Sequence, residues 1–203
     1  MVTEAEANLD GNAKLDFREA RILCADASSQ GLDILGQMLI GFGIQQITRV
    51  QTGDEFKKCL ARTKFDLILL EGGLNGNGYE LVNWLRRSNL EPNRYAPIIV
   101  LSGHTPRAQV EQARDCGASF VVVKPISATT LLARIMWVGK NSRLFVEADA
   151  YVGPDRRFKN EGVPAGQVGR RRSDLSGEVG EAVDPNMSQS EIDSLLKPQK
   201  LAL

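Results

Sequence analysis

The sequence predicts an α/β fold, a doubly wound parallel β-sheet with helices on both faces, for residues 18–140 of the 203-residue chain. Two observations predict it. Short apolar runs alternate with stretches whose apolar residues recur at helical spacing. Several of the apolar runs also lack a polar face, as strands do in a sheet that is covered on both sides.

Five apolar runs are the strand candidates. They are, in chain order, ARILCAD (20–26), IQQITRV (44–50), FDLILLE (65–71), APIIVLS (96–102) and SFVVVK (119–124). Helical spacing is clearest in the first and the last of the intervening segments, at Leu32, Leu35, Leu39 and Phe42, and at Leu131, Leu132 and Ile135. Five strands and five helices in about 120 residues predict a flavodoxin-like domain, whose functional site lies at the carboxyl ends of the strands.

The segments outside this domain have too little apolar surface to offset chain entropy. Residues 1–17 are expected to be a disordered, acidic N-terminal arm. Residues 141–186 are expected to be a polar linker that contains Gly, Pro and Arg, residues 187–197 a short amphipathic helix, and residues 198–203 a terminal tail. The C-terminal tail is therefore predicted to be largely disordered and to end in one short helix.

Charge and hydropathy exclude several classes of function. The formal net charge is zero, and no segment is basic enough to require a nucleic acid partner. The acidic start has no apolar core, and no later stretch approaches the ~18 apolar residues of a membrane span. We therefore expect a cytoplasmic protein with neither a membrane nor a nucleic acid as its partner.

The three cysteines are Cys24, Cys59 and Cys116. They are odd in number, widely spaced and each set in an apolar pattern. This favours reduced, packed thiols over disulfides or a metal site.

Polar residues stand at the carboxyl end of four of the predicted strands. Asp26 follows the first strand, Glu71 ends the third, Ser102 ends the fourth, and Lys124 with Pro125 ends the fifth. Each residue alone is weak evidence, because strand ends are often polar. Two acids, a hydroxyl and a lysine at one edge of a sheet indicate a functional pocket.

These motifs resemble the receiver domains of bacterial response regulators of the CheY type, over roughly residues 18–139. In that family the first strand ends in two adjacent acids that hold magnesium, the third in the phosphorylated Asp, the fourth in Thr or Ser, and the fifth in Lys-Pro. Here ILCADA has Ala27 in place of the second acid, and LILLEGG has Glu71 at the phosphoacceptor position. IVLSG and VVVKP match the last two motifs.

The departures from the family pattern fall on its chemistry. Loss of the acid at Ala27 is expected to weaken or abolish the magnesium site, so no cofactor is expected, and at most weak magnesium binding. Glu71 extends its carboxylate by about an ångström relative to Asp, and an error of that size can cost about a hundredfold in rate. Val121 also occupies the place of the aromatic residue that reports phosphorylation in active receivers. We therefore expect no enzymatic activity and no catalytic residue.

Two roles remain open for Glu71. Its carboxylate could approach Lys124 and Ser102 and mimic the charge of the acyl phosphate. Alternatively, it is a relic that points at water in an unused pocket.

The segment MSQSEIDSLL carries complete helix-start signals. Ser188 and Glu191 form a capping box, and Met187 can pack on Ile192. The apolar residues Ile192, Leu195 and Leu196 share one face, but so short a helix is not stable alone in water. It is predicted to fold when this apolar stripe meets a groove.

The same segment resembles the receiver-binding peptide of FliM-type flagellar motor switch proteins, which commonly reads like LSQxEIDxLL. The resemblance implies docking on the face made by the fourth and fifth helices and the fifth strand, in this molecule or in a separate receiver. The alternative is a terminal helix that packs on the domain without a signalling role.

Five arginines lie in the linker, and they are Arg156, Arg157, Arg170, Arg171 and Arg172. They could bind phosphates or an acidic protein face. The Asp and Glu residues interspersed among them favour a solvated linker.

The favoured hypothesis is a phosphorylation-independent pseudo-receiver that acts as an adaptor by protein contacts in bacterial chemotaxis or flagellar motility. The first alternative is a phosphorylatable receiver or phosphate sink of a two-component system. The second is a transcription-regulating response regulator, which is disfavoured because residues 141–203 lack a cluster of apolar helices for a helix-turn-helix.

Overall fold

A computed structural model describes residues 17–140, 143–155 and 186–196 of the chain. In this part, the first five strands and five helices alternate, as predicted. The strands are β1 (Arg21–Ala25), β2 (Gln46–Val50), β3 (Leu67–Glu71), β4 (Ile98–Ser102) and β5 (Phe120–Val123). The helices are α1 (Ser29–Gly41), α2 (Gly53–Arg62), α3 (Gly78–Arg87), α4 (Arg107–Asp115) and α5 (Ala128–Lys140).

Within the described residues, three further elements lie beyond α5. They are the strands β6 (Phe145–Ala148) and β7 (Tyr151–Pro154) and the helix α6 (Gln189–Leu196). Two short 3-10 turns, Leu74–Gly76 and Asn93–Tyr95, precede α3 and β4.

The first five strands form one parallel sheet in the order β2-β1-β3-β4-β5. The predicted doubly wound fold is therefore confirmed. Strand β4 is buried along its whole length, and only Glu71 of β3 is partly exposed. Because all five strands run the same way, their carboxyl ends meet at one edge of the sheet, where the predicted polar residues follow them.

The first two helices begin at side-chain caps. The hydroxyl of Ser28 accepts a hydrogen bond from the Gly31 amide at the start of α1, and that of Thr52 accepts one from Glu55 at the start of α2. The predicted apolar stripe of α1 is buried at Leu32, Leu35 and Leu39. These helices cover the sheet and leave its carboxyl edge open.

Residues 143–155 are not part of a disordered linker, so the linker predicted for residues 141–186 is wrong in this part. Strands β6 and β7 form an antiparallel hairpin. Phe145 packs edge-on against Tyr95 with ring centroids 4.8 Å apart, and Glu147 lies 2.9 Å from the Arg94 guanidinium. Val152 is buried. Strands of four residues carry too little periodicity to be recognised, and their apolar partners lie far away in the chain.

Arg86 of α3 links the hairpin to the rest of the domain. It is fully buried, and its guanidinium donates to the carbonyls of Gly117 (3.0 Å), Ala96 (2.8 Å) and Arg94. The guanidinium also lies 5.7 Å from the centre of the Phe145 ring. Burial lowers the pKa of Arg86 to about 10. One buried side chain thus satisfies the carbonyls of two loops.

The cysteines are free thiols, as predicted, and Cys24 and Cys116 are buried. Burial raises the pKa of each of these two thiols to about 12. Within the described ranges, no helix combines the length and the hydropathy that crossing a membrane would require.

Arg86→Ala is expected to lower the free energy of unfolding by about 3–5 kcal/mol, because it leaves buried carbonyls without donors. The neighbouring Arg87, whose bonds to Asn83 and Asp149 are exposed, is the matched control. Arg87→Ala is expected to cost less than about 1 kcal/mol. Urea unfolding followed by circular dichroism measures both, and equal losses would contradict the role of Arg86.

Candidate functional site

The carboxyl edge of the sheet brings the predicted pocket residues together. Backbone hydrogen bonds extend the ladders one residue beyond the strands, from Asp26 N–H to the Val50 carbonyl and from Lys124 N–H to the Ser102 carbonyl. These bonds hold Asp26 and Lys124 at the same edge. The cis peptide bond between Lys124 and Pro125 begins the loop that leads to α5.

Asp26 is the main partner of Lys124. The Lys124 ammonium lies 2.8 Å from Oδ2 of Asp26, whose side chain is only 3% exposed. The other oxygen, Oδ1, accepts a hydrogen bond from the Ser28 amide at 2.9 Å. Gly31 lies so close that a Cβ there would be 2.8 Å from Oδ2. Both oxygens of this buried carboxylate therefore have donors within the protein.

Glu71 is a more distant partner. Its Oε1 lies 3.9 Å from the Lys124 ammonium, and its side chain is 19% exposed. The Ser102 hydroxyl donates to the His104 carbonyl at 2.6 Å and accepts from the His104 amide at 3.3 Å. A phosphate mimic at Glu71 was expected to contact both Lys124 and Ser102. The contact with Lys124 is a long ion pair, and the Ser102 hydroxyl is hydrogen-bonded to His104 instead.

The receiver resemblance implies a magnesium ion between Asp26 and the phosphoacceptor position. Magnesium requires oxygen ligands in near-octahedral geometry. Ala27 offers no side-chain ligand, and Lys124 and the Ser28 amide engage the two Asp26 oxygens. The part of the chain that the structure describes also holds no group of three His, Cys, Asp or Glu side chains placed for a metal. These residues do not fit the ion.

A polar cavity of about 460 Å³ opens beside Glu71. Most of the residues that line it were not predicted from the sequence. They come from the loops after β3 and β4, from the start of α3 and from α4, and include Asn77, Tyr79, His104, Gln109 and Gln112. Burial raises the pKa of Tyr79. Tyr79 lies on the buried face of α3, and nothing in the sequence distinguishes it from the other core residues of that helix.

The C-terminal segment docks on a second site, the outer edge of β5. We call residues 186–196 the terminal segment. Its Gln189 side chain donates from Nε2 to the Val121 carbonyl at 3.0 Å and accepts from the Val123 amide at Oε1 at 2.9 Å. Because β5 is the edge strand of the sheet in the described ranges, these backbone groups have no neighbouring strand there. The amide of Gln189 takes the place of one.

Thr105, in the loop between β4 and α4, binds the start of the terminal segment. Its carbonyl accepts from the Met187 amide at 2.8 Å, and its hydroxyl donates to the Met187 carbonyl at 3.1 Å. The Thr105 amide donates to Oδ1 of Asn186 at 3.1 Å. Thr105 is buried, although nothing in its sequence context marked it as a binding residue.

The remaining contacts involve the apolar and acidic faces of α6. Ile192 is fully buried in the hydrophobic core, and Met187 packs against the same cluster. Asp193 forms an ion pair with Arg134 of α5, whose guanidinium lies over the Phe120 ring. Of the two docking sites that the sequence left open, the structure has the one on the same molecule.

The predicted capping box is confirmed. The Ser188 amide donates to Oε2 of Glu191 at 2.8 Å, and the Glu191 amide donates to the Ser188 hydroxyl at 3.4 Å. The Ser188 hydroxyl also donates to Oε2 of Glu191 at 2.7 Å, and this bond together with the one from the Ser188 amide lowers the pKa of Glu191. Leu195 and Leu196 lie within α6, but their side chains and the five linker arginines are outside the described part.

Asp26→Asn is expected to lower the free energy of unfolding by about 1–3 kcal/mol, because it removes the near partner of the Lys124 ammonium. Glu71→Gln is the matched control and is expected to change it by less than about 0.5 kcal/mol, as for a long, partly exposed pair. Urea titration of both variants measures the difference. A larger loss for Glu71→Gln would show that Lys124 depends on Glu71 instead.

Comparison with curated proteins finds receiver relatives. The chain is 28% identical over 119 residues to the virulence sensor protein BvgS of Bordetella bronchiseptica. The aligned region covers 57% of this chain and 10% of BvgS. It is 29% identical over 116 residues to the transcriptional regulatory protein PdtaR of Mycobacterium tuberculosis. That aligned region covers 57% of this chain and 54% of PdtaR. The chain thus spans about a tenth and about half of the lengths of these relatives.

Solved structures show the same fold. The chemotaxis response regulator CheY4 of Vibrio cholerae superposes with a TM-score of 0.54 at 23% identity, over 59% of this chain and 98% of that chain. A CheY-like response regulator receiver domain protein from Methanospirillum hungatei superposes with a TM-score of 0.53 at 24% identity, over 58% of this chain and 91% of that chain.

A family model for the response regulator receiver domain matches residues 22–136, which is more than half of the chain. The match runs from β1 into α5 and includes all five strands of the parallel sheet. On this evidence, the chain belongs to the response regulator receiver domain family of two-component signalling.

Proposed function

We propose that this chain is a phosphorylation-independent pseudo-receiver that acts as a signalling adaptor through protein contacts. One observation carries the proposal. The Lys124 ammonium pairs at 2.8 Å with Asp26, in a pocket that has Glu71 at the acceptor position and no second acid at Ala27. The acceptor Asp and the second acid of the family are thus replaced in this chain, and the remaining acid is paired with the lysine.

The chemistry of phosphoryl transfer supports this proposal. Transfer is almost entirely positioning and charge stabilisation, with the attacking and leaving oxygens in line. The Glu71 carboxylate reaches further than that of Asp, and the pocket does not fit the magnesium ion that would neutralise the developing charge. The pocket therefore favours a binding domain whose state does not follow phosphorylation.

The terminal segment supports protein contacts as the mode of action. It binds the face formed by α4, β5 and α5, which we call the α4–β5–α5 face, through Gln189, Ile192 and Asp193. A face that accepts one short helix is suited to peptide ligands. Because the segment resembles the FliM-type peptide, we propose bacterial chemotaxis or flagellar motility as the pathway.

Phosphate uptake tests the proposal. With magnesium and a radiolabelled small-molecule phosphodonor such as acetyl phosphate, the wild-type chain is expected to incorporate less than about 1% of the label expected for one acyl phosphate per chain. The double variant Ala27→Asp, Glu71→Asp, which restores both acids, is expected to incorporate at least tenfold more. The single variant Ala27→Asp is the intermediate control.

Magnesium-dependent labelling of the wild-type chain, lost in Glu71→Gln, would overturn the proposal. It would favour the alternative of a working receiver or phosphate sink that uses Glu71. Label that survives in Glu71→Gln but depends on magnesium would place the acceptor at another acid and would equally contradict phosphorylation independence.

A further inference from the structure

The terminal segment occupies backbone groups that any ligand of the α4–β5–α5 face would need. It engages the Val121 carbonyl and the Val123 amide on the edge of β5, and both backbone polar groups of Thr105. It also covers the apolar patch on which Ile192 is fully buried. While the segment is docked, the face has no free binding edge at these positions.

Gln189 pairs with β5 as a neighbouring parallel strand would. In a parallel ladder, one residue donates to the carbonyl before its partner and accepts from the amide after it. The Gln189 amide makes this pair of bonds around Val122, with the Val121 carbonyl and the Val123 amide. Its Nε2 also donates to Asp193 at 2.9 Å, which orients the amide.

No other common side chain of this length supplies the same pair. Glutamate has two acceptors and would place a carboxylate oxygen against the Val121 carbonyl. Asparagine has both functions but is one methylene shorter. Gln189 is therefore the residue that makes the segment specific for the β5 edge.

We infer that the terminal segment is a built-in competitor that closes the α4–β5–α5 face, with Gln189 as its specificity-determining residue. This inference rests on the proposed function and adds its regulation. The ligand that the closed face fits is a short capped helix in a partner protein with the same pattern. That pattern is an apolar residue two before a Gln, Ile three after it and Asp four after it, the last paired with Arg134.

The expected strength of the competition follows from the covalent link. Residues 156–185 connect the hairpin to the segment, and a tether of such length gives an effective concentration on the order of a millimolar. A short helix that binds in isolation with a Kd of about 10–100 μM would then occupy the face in about 90–99% of molecules. An outside ligand would meet a face that binds it roughly 10–100-fold more weakly than the open one.

Binding of a probe peptide to the full chain tests the inference. The probe is a fluorescein-labelled synthetic peptide of residues 185–200, followed by fluorescence anisotropy. The variant Gln189→Glu in the chain is expected to release the segment without changing the face, so that the probe binds at least tenfold more tightly than to wild type. Gln37→Glu, an exposed position on α1, is the matched control and is expected to bind as wild type does.

A probe that itself carries Gln189→Glu is expected to bind neither chain tightly. In circular dichroism melting curves, Gln189→Glu is expected to melt roughly 5–10 °C below wild type, because it loses a docking equilibrium of about tenfold to hundredfold, and Gln37→Glu is expected to melt as wild type does. Arg134→Ala combined with Gln189→Glu is expected to lose the gain in affinity, because it removes the partner of the probe's Asp.

Three outcomes would overturn the inference. Equal probe affinity for wild type and Gln189→Glu would show that the segment does not close the face. No binding to Gln189→Glu would show that the face is not the site of this peptide. A wild-type dimer by light scattering that becomes monomeric in Gln189→Glu would place the segment on a second copy. None of these outcomes changes phosphate uptake, so failure here is distinguishable from failure of the proposed function.

Discussion

A parallel sheet that is covered on both faces has only two places for polar groups, the ends of its strands and its outer edges. Both places carry the chemistry of this chain. At the carboxyl ends, Asp26, Glu71 and Lys124 form a cluster of charged side chains. At the outer edge of β5, the amide of Gln189 binds backbone groups that are not paired with any of the strands that the structure describes. The pocket and the docked segment are therefore two consequences of one architecture.

The two places are also physically connected. Ser102 ends β4 in the pocket, and the loop that follows it turns through His104 to Thr105, which binds the terminal segment. Lys124 directly follows Val123, whose amide is bonded to Gln189. In this chain Lys124 pairs with Asp26 in the pocket, and the terminal segment binds the loop and the strand that lead away from it.

The packing of the β6–β7 hairpin on the domain depends on a buried side chain that donates hydrogen bonds to loop carbonyls. The Arg86 guanidinium donates hydrogen bonds to the carbonyls of Gly117 and Ala96, and Phe145 of the β6–β7 hairpin packs against this guanidinium. A buried guanidinium is tolerated there because several of its donors find carbonyl acceptors, and because an aromatic ring lies against it. The hairpin is thus part of the domain, although its residues lie beyond α5 in the chain.

The sequence by itself determined the five strands, the helices between them, the residues at the strand ends and the capping box of Ser188 and Glu191. These features depend on periodicity and on neighbours within a few residues, which are visible in the chain. Only the tertiary structure decided that Lys124 pairs with Asp26 more closely than with Glu71, that residues 145–154 form a hairpin, and that Gln189 binds the edge of β5. Each of these joins residues far apart in sequence, and distances between such residues are set by packing rather than by local pattern.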